Sequence, residues 1–266
     1  MADTVLYEVT DGLATITLNR PDAMNALNND AKAALRDALR EAGGDDAVRA
    51  VLLTATGRAF CVGQDLKEHI GALAAARESG SGNALSTVSE HYNPIVRAIT
   101  EMPKPVVAGV NGVAAGAGFG FALAADYRVV ADTASFNTSF AGVALTADSG
   151  VSWTLPRLIG QSRAADLLFF PRSVSAQEAL ELGIVNRVVA AEALADEAAA
   201  VARRFAEGPT VAYAALKASM AFGAGSSLSE ALEKEDEQQT VAGASEDHGI
   251  AVAAFLAKEK PKYLGR

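Results

Sequence analysis

The chain has 266 residues, of which 50% are hydrophobic and 21% charged, and its net charge is -9 at pH 7. This length suffices for one large domain with a buried core, and the acidic balance argues against nucleic acid or anionic membranes as main partners. A single cysteine, Cys61, excludes an intrachain disulfide and is typical of a reducing compartment. No signal peptide and no apolar run of the roughly 20 residues that span a bilayer is visible, which predicts a soluble, cytoplasmic protein.

Strand and helix patterns alternate through the first half of the chain. Residues 13–18 alternate apolar and polar side chains, which predicts a half-buried strand. Asn28 or Asn29 can cap a helix that ends at Gly43 and Gly44, and residues 49–54 predict a buried strand. A loop over 57–65, a helix to about Glu78 and a flexible Ser-Gly break at 79–82 follow.

The pattern changes after the middle of the chain. A helix through residues 92–99 is ended by prolines, and a strand follows at 106–110, so the first part predicts an α/β fold. From about Ala191 the chain is alanine-rich and almost entirely helical, which suits either assembly or packing on its own domain. Ser175–Glu178 and Ser227–Glu230 both match the capping box of a helix N-terminus.

Two glycine-bearing segments, Gly57–Leu66 and Asn111–Gly120, each lie between a strand and a helix. Such a position leaves backbone N–H groups free near the positive end of a helix dipole. Each segment alone is more often a tight turn, but two such donors aimed at one oxygen would form an oxyanion hole. The second segment lacks the G-x-G-x-x-G spacing of a dinucleotide site, which argues against NAD or FAD.

In combination these segments resemble the crotonase (enoyl-CoA hydratase/isomerase) superfamily. Further matches lie at Leu18–Pro21, Lys104–Gly112, Ser175–Val185 and Phe255–Lys258, so the resemblance covers nearly the whole chain. It implies a (ClpP-like) spiral of ββα units over residues 1–190, which carries the acyl-CoA site. It also implies a C-terminal helical region, 191–266, that forms homotrimers, usually paired into hexamers.

The resemblance also implies the roles of individual residues. The backbone N–H groups of Gln64 and Ala117 would be the oxyanion donors. Coenzyme A would enter as the carrier of the substrate, with no permanently bound cofactor. Its contacts would be Ala26, Asp65, Leu66, Phe255 and Lys258, the last two reaching a neighbouring subunit's coenzyme A.

The acids that line the cavity distinguish the reactions of this family. Hydratases use two glutamates, whose positions are taken here by Gly120 and Phe140. The chain instead has Asp148, which could be a helix N-cap or, in an apolar pocket, a proton acceptor of raised pKa. Residues expected to form the pocket, as wall or core, are Phe136, Phe140, Val143, Leu145 and Trp153.

One base beside an enolisable thioester suits double-bond isomerisation, and further motifs are similar to the ring-epoxide (phenylacetate pathway) and Δ3,Δ2-enoyl-CoA isomerases of the family. Three alternatives stay open: a hydratase of fatty-acid or aromatic-acid degradation, a dehalogenase with a nucleophilic aspartate, and a catalytically idle CoA-ester-binding subunit. Asp65, Glu68 and Glu90 could serve a hydratase. His69 and His91 are expected to face solvent on helices, Cys61 to be a buried thiol, and no residue spacing suggests a metal site.

Overall fold

The structure is a computed structural model, in which residues 3–79 and 85–266 are described. The flexible break expected at 79–82 lies, from residue 80 onward, outside the described residues. The strands are β1 (Val5–Thr10), β2 (Leu13–Leu18), β3 (Ala50–Ala55), β4 (Ala59–Cys61), β5 (Val106–Val110), β6 (Val113–Ala115), β7 (Tyr127–Ala131), β8 (Ser135–Asn137), β9 (Val174–Ser175) and β10 (Arg187–Val189). The helices are α1 (Asn29–Gly44), α2 (Leu66–Ser79), α3 (Asn93–Glu101), α4 (Ala117–Ala124), α5 (Val151–Ile159), α6 (Gln161–Phe169), α7 (Ala176–Leu182), α8 (Leu194–Ala206), α9 (Thr210–Gly223), α10 (Leu228–Gly243) and α11 (Glu246–Ala257).

The strands form two sheets. The larger has the order β1-β2-β3-β5-β7-β10 and is parallel except for the β1–β2 hairpin. The smaller has the order β4-β6-β8-β9, in which only β9 is antiparallel to its neighbour. Both faces of the central strands β3 and β5 are buried, as their near-continuous apolar sequences require.

Successive units of the chain contribute one strand to each sheet. The pairs β3–β4, β5–β6 and β7–β8 each place the first strand in the large sheet and the second in the small one. A helix follows the first two pairs directly, α2 after β4 and α4 after β6. The fold is therefore the expected α/β spiral of ββα units, and the carboxyl ends of the small sheet's strands lead into helix N-termini.

The elements predicted at 13–18, 28–44, 49–54 and 106–110 are confirmed as β2, α1, β3 and β5. Asn28 caps α1, since its side-chain oxygen accepts a hydrogen bond from Ala31 N at 3.0 Å. The two glycine-bearing segments contain β4 and β6, which were expected to be loop. These strands have three residues each and pair with each other. They are too short for the periodicity of side chains along the sequence to reveal them.

One of the two capping boxes is complete. Ser227 and Glu230 exchange both hydrogen bonds at the start of α10. Ser175 caps α7, but the Glu178 carboxylate pairs with Arg172 instead, at 2.9 Å, and does not reach back to Ser175. The second half of that predicted box is wrong, because the arginine offers a stronger, charged partner.

The helical C-terminal region divides into two parts. Helix α8 covers β3, β5 and β7 of the large sheet and buries its alanine face there. Helices α9 and α10 pack mainly against each other, and a 2.7 Å ion pair between Lys217 and Asp126 ties α9 to the sheet. An assembly role for residues 191–266 stays a prediction and concerns α9 to α11, since α8 completes the core. Among the described residues, no helix is long and apolar enough to cross a membrane.

Candidate active site

The two glycine-bearing segments lie against each other along their length. A β-carbon on Gly112 would lie 2.1 Å from the carbonyl oxygen of Arg58, and one on Gly118 would lie 2.2 Å from that of Cys61. A β-carbon on Gly63 would lie 3.5 Å from Ala117 N. Only glycine permits the first two approaches, and the φ of +85° at Gly63 also favours glycine. Together they place Gln64 beside Ala117.

The backbone around Gln64 is oriented by a parallel bridge to Leu27. Leu27 N donates to Gly63 O at 2.8 Å, and Asp65 N donates to Leu27 O at 3.2 Å. Because the Gly63 carbonyl and the Asp65 N–H both point towards Leu27, the Gln64 N–H points away from Leu27. Ala117 begins α4, where an N–H has no partner within the helix. Among the described residues neither N–H donates a hydrogen bond, so both are available to one ligand oxygen.

Asp148 precedes a residue, Ser149, that packs against the first turn of α4. A β-carbon on Gly120 would lie 2.5 Å from Ser149 Cβ, so the backbone next to Asp148 packs directly on that helix. Helix α5 begins at Val151 with Gly150 as its N-cap and no side-chain cap. The alternative interpretation of Asp148 as a helix cap is therefore wrong. Its carboxylate instead accepts a hydrogen bond from the Ser149 hydroxyl at 2.8 Å.

Asp148 lines a cavity of about 310 Å³. Burial raises the pKa of the Asp148 carboxyl, and the hydrogen bond from Ser149 opposes that rise. A carboxylate of raised pKa is a stronger proton acceptor than an exposed one. The described walls of this cavity are Leu85, Val88, Asn93, Leu145, Thr146, Ala147, Ser149, Gly150 and Ser152.

Most of the residues predicted to form an apolar wall lie outside the described lining of this cavity. Only Leu145 of the expected residues lines it among those described, while Phe136 and Phe140 belong to the buried core. Val143 is 65% exposed on a short turn, and Trp153 is 49% exposed with the Arg157 guanidinium 4.0 Å from its ring centroid. The segment from 85 to 93, which follows α2, supplies the apolar wall instead.

A surface groove of about 620 Å³ adjoins Gln64 and contains the expected coenzyme A contacts Ala26, Asp65 and Leu66. The Asp65 carboxylate accepts hydrogen bonds from Arg20 at 3.1 Å and from the backbone N–H of Lys67 at 3.0 Å. Partial burial raises the pKa of Asp65, but these donors outweigh burial and lower it. Asp65 therefore caps α2 and forms an ion pair with Arg20.

The described lining of this groove has two basic residues: Arg20, which is paired with Asp65, and Lys67, which the sequence interpretation missed. Lys67 is exposed, lines the groove and makes no ion pair among the described residues. Phe255 and Lys258 lie at the exposed end of α11 and outside this groove. Their expected contact with coenzyme A would therefore have to involve another copy of the chain.

A second, polar cavity of about 160 Å³ begins at Gln64. His69 and His91 are partly buried and both line it, so the expectation that they simply face solvent is wrong; residues of α2 and of the segment that carries His91 share this cavity. Burial lowers the pKa of His91, and the nearby Lys32 lowers it further. The described walls also include Asn29, Glu68, Ala72, Ser86, Thr87 and Glu90.

Two further features bear on the chemistry of the site. Cys61 is fully buried, and burial raises the pKa of its thiol to about 12, so it is not a nucleophile. Tyr92, to which the sequence interpretation gave no role, donates a hydrogen bond to the Gln64 side chain. Among the described residues, no group of three or more His, Cys, Asp or Glu side chains is placed to hold a metal ion.

Comparison with known proteins places these features in a family. A profile described as enoyl-CoA hydratase/isomerase matches residues 8–266. The chain is 38% identical to the 1,2-epoxyphenylacetyl-CoA isomerase of Escherichia coli, over 100% of both chains. It is 40% identical to a Rhodobacter capsulatus protein named a probable enoyl-CoA hydratase, over 99% of this chain and 98% of the relative. A provisionally named enoyl-CoA hydratase/isomerase from Mycobacterium abscessus has a crystal structure with TM-score 0.93 and 46% identity, covering 98% of this chain and 100% of that one.

Proposed function

Because the chain belongs to the enoyl-CoA hydratase/isomerase family, we propose that it is an acyl-CoA isomerase with Asp148 as its acid and base. The observation that carries this proposal is a single carboxylate in the cavity of about 310 Å³. Among the described walls of that cavity, no second acid accompanies Asp148. One carboxylate suffices to take a proton from one carbon and return it to another, whereas the addition of water needs an acid and a base.

The positions of the two hydratase glutamates support this choice. Position 120 is glycine, and a β-carbon there would meet Ser149 Cβ at 2.5 Å and Ser149 O at 2.7 Å. Position 140 is a phenylalanine that is 93% buried, as its relative exposure is 7%. The backbone beside Asp148 thus occupies the space into which a side chain at position 120 would have to extend.

The proposed reaction begins with a 3-enoyl-CoA whose thioester oxygen accepts hydrogen bonds from the N–H groups of Gln64 and Ala117. The Asp148 carboxylate removes a proton from C2, and the electron pair passes into a dienolate whose negative oxygen these donors stabilise. The resulting carboxylic acid returns the proton to C4, which gives the 2-enoyl-CoA and restores the carboxylate. A ring-epoxide thioester, the substrate type named for the relative from Escherichia coli, would use the same donors and base.

The groove beside Gln64 is the proposed site of the carrier. Coenzyme A would lie along Ala26, Leu66 and Lys67, and Lys67 would meet its phosphates. Phe255 and Lys258 would contact the coenzyme A bound by a neighbouring copy in a homotrimer or hexamer. No permanently bound cofactor is required for this chemistry.

A hydratase is the second candidate function. Glu68 and Glu90 line the same polar cavity as Gln64, so two carboxylates share a cavity with the residue of the proposed oxyanion donor. The Rhodobacter capsulatus relative carries a hydratase name. The third candidate, a protein that binds CoA esters without catalysis, would leave the buried carboxylate of Asp148 without a role.

The test is a direct assay of a 3-enoyl-CoA with the wild type and the Asp148→Asn variant, beside a hydration assay of a 2-enoyl-CoA. We expect isomerisation that falls by about 100- to 10,000-fold in the variant, with binding of the CoA ester retained. Equal rates for the two proteins would contradict the role of Asp148. Fast hydration without isomerisation would favour the hydratase, and Glu68→Gln and Glu90→Gln would then identify its acids.

A further inference from the structure

Tyr92 interacts both with the residue of a proposed oxyanion donor, Gln64, and with the charge of the proposed base, Asp148. It is the last residue of a π-helical turn, Val88–Tyr92, that leads directly into α3. Its side chain is 2% exposed, and its hydroxyl donates a hydrogen bond to Gln64 Oε1. Turns of this type are rare and occur frequently at functional sites. The proposed proton transfer itself does not involve Tyr92.

The ring of Tyr92 is held on two sides. The Phe121 ring packs against it edge to face at a centroid distance of 5.9 Å, and the Lys32 ammonium lies 5.7 Å from its centroid. Burial raises the pKa of the Tyr92 hydroxyl, and the nearby charge of Asp148 raises it further. The hydroxyl therefore keeps its proton at neutral pH and remains a hydrogen-bond donor.

The side chain of Gln64 has few other restraints. Its backbone is fixed on both sides by Leu27, but among the described residues its amide Nε2 reaches only the Asp65 carbonyl, at 3.5 Å. A contact of that length contributes little. The bond from Tyr92 is thus the main restraint on the direction of the Gln64 amide oxygen. That oxygen belongs to the residue whose N–H faces the thioester.

We propose that Tyr92 is a positioning residue that keeps the Gln64 amide oxygen turned away from the thioester oxygen. If it were released, the negative end of the amide dipole could approach the enolate and oppose the charge that the Gln64 N–H stabilises. The inference rests on the proposed function, because it concerns the same enolate. The proposed role of Tyr92 differs from simple packing, because its effect on the reaction depends on the presence of the Gln64 side chain.

The first variant is Tyr92→Phe, which keeps the ring and removes the hydroxyl. We expect kcat to fall about tenfold with KM nearly unchanged, which is less than the roughly 100- to 1,000-fold loss caused by deleting a whole oxyanion donor. Tyr7→Phe is the matched control. Its hydroxyl is buried in β1 without a hydrogen-bond partner among the described residues, so kcat should stay at the wild-type value.

The decisive variant adds Gln64→Ala, which removes the amide and keeps the backbone N–H. If Tyr92 acts through Gln64, Tyr92→Phe has no further effect in this background, and the double variant is faster than Tyr92→Phe alone. A double variant as slow as Tyr92→Phe would overturn the proposal, and so would a Tyr92→Phe protein with wild-type kcat.

A spectroscopic measurement separates this inference from the proposed function. The absorbance of a bound 3-arylacryloyl-CoA moves to longer wavelength as its thioester carbonyl is polarised, with or without turnover. We expect a smaller shift in Tyr92→Phe and a restored shift in the double variant. Absence of isomerisation with these shifts intact would count against the proposed function alone. A Tyr92→Phe shift equal to that of the wild type would count against the role of Tyr92 alone.

Discussion

At the scale of single residues, the burial of Asp148 has opposite consequences for reactivity and for stability. Burial raises the pKa of its carboxyl, which makes the carboxylate a better base. The same burial means that the folded state tolerates the negative charge less well than the unfolded chain does. Asp148 should therefore destabilise the fold wherever it is ionised, and this cost can be measured as a function of pH.

We expect Asp148→Asn to be more stable than the wild type at pH 8. The folded-state pKa lies above the unfolded value, so the penalty is absent below the unfolded pKa of about 4. It grows as pH rises towards the folded pKa and is constant above it. Urea unfolding from below pH 4 to pH 8 should show the gain of the variant increasing with pH above the unfolded pKa and then levelling off. A gain that is independent of pH would mean that packing, rather than charge, separates the two proteins.

Glu178→Gln is the control of opposite sign. The hydrogen bond from Arg172 lowers the pKa of Glu178, so this carboxylate stabilises the fold above its unfolded pKa. Its contribution is lost as pH falls through the folded pKa, and it is small because the pair is exposed. This variant should therefore be slightly less stable than the wild type at pH 8, and the difference should close towards acid.

At the scale of elements, the site depends on how closely β4 and the start of α4 approach. Gly118 faces the backbone of Cys61, where a β-carbon would lie 2.2 Å from the carbonyl oxygen and 2.6 Å from Cys61 Cβ. The β4–β6 pairing next to it is only a few residues long. A displacement at Gly118 would therefore separate the segments that carry the two N–H groups.

We expect Gly118→Ala to cost about 3 kcal/mol in the free energy of unfolding, the upper end for overpacking, because backbone rather than a flexible side chain must move. The control is Gly249→Ala in α11, where a β-carbon would meet no atom within 4 Å. That change should stabilise the protein by about 0.5–1 kcal/mol, since alanine is the better helix former. Chemical denaturation of both variants is the measurement. Wild-type stability in Gly118→Ala would show that the two segments can separate freely.

At the scale of the whole molecule, the C-terminal helices leave a large apolar surface exposed. A groove of about 880 Å³ lies between α9 and α10, and Leu216, Met220 and Leu232 on its walls are 59%, 74% and 55% exposed. Exposed apolar patches of this kind mark interaction sites on proteins. We propose that a second copy of the chain covers this surface.

We expect light scattering to give three or six times the chain mass of 27.3 kDa. Met220→Glu places a charge in the groove and should shift the protein towards smaller species, since an unpaired charge is costly to bury. Ala200→Glu, on the exposed side of α8, is the control and should leave the mass unchanged. A wild-type mass of one chain would contradict the assembly proposal.

The features that could be predicted from the sequence depend on residues close together in the chain. The cap at Asn28, the alternation in β2 and the capping box at Ser227 depend on residues within a turn or a strand of each other. Family membership was also accessible, through the resemblance of several motifs along the chain to a known family.

The remaining features depend on contacts between residues far apart in the chain. The cap interpretation of Asp148 was resolved by the helix start at Val151, and the exposure of Trp153 by its place on the outer face of α5. Tyr92 and Gln64 are separated by 28 positions, and no periodicity marks their hydrogen bond. Side-chain periodicity reports which face of an element is buried, but not which neighbour covers it. The neighbours of Asp148 and Gln64 are set by how the ββα units stack, and so these contacts become apparent only in the folded chain.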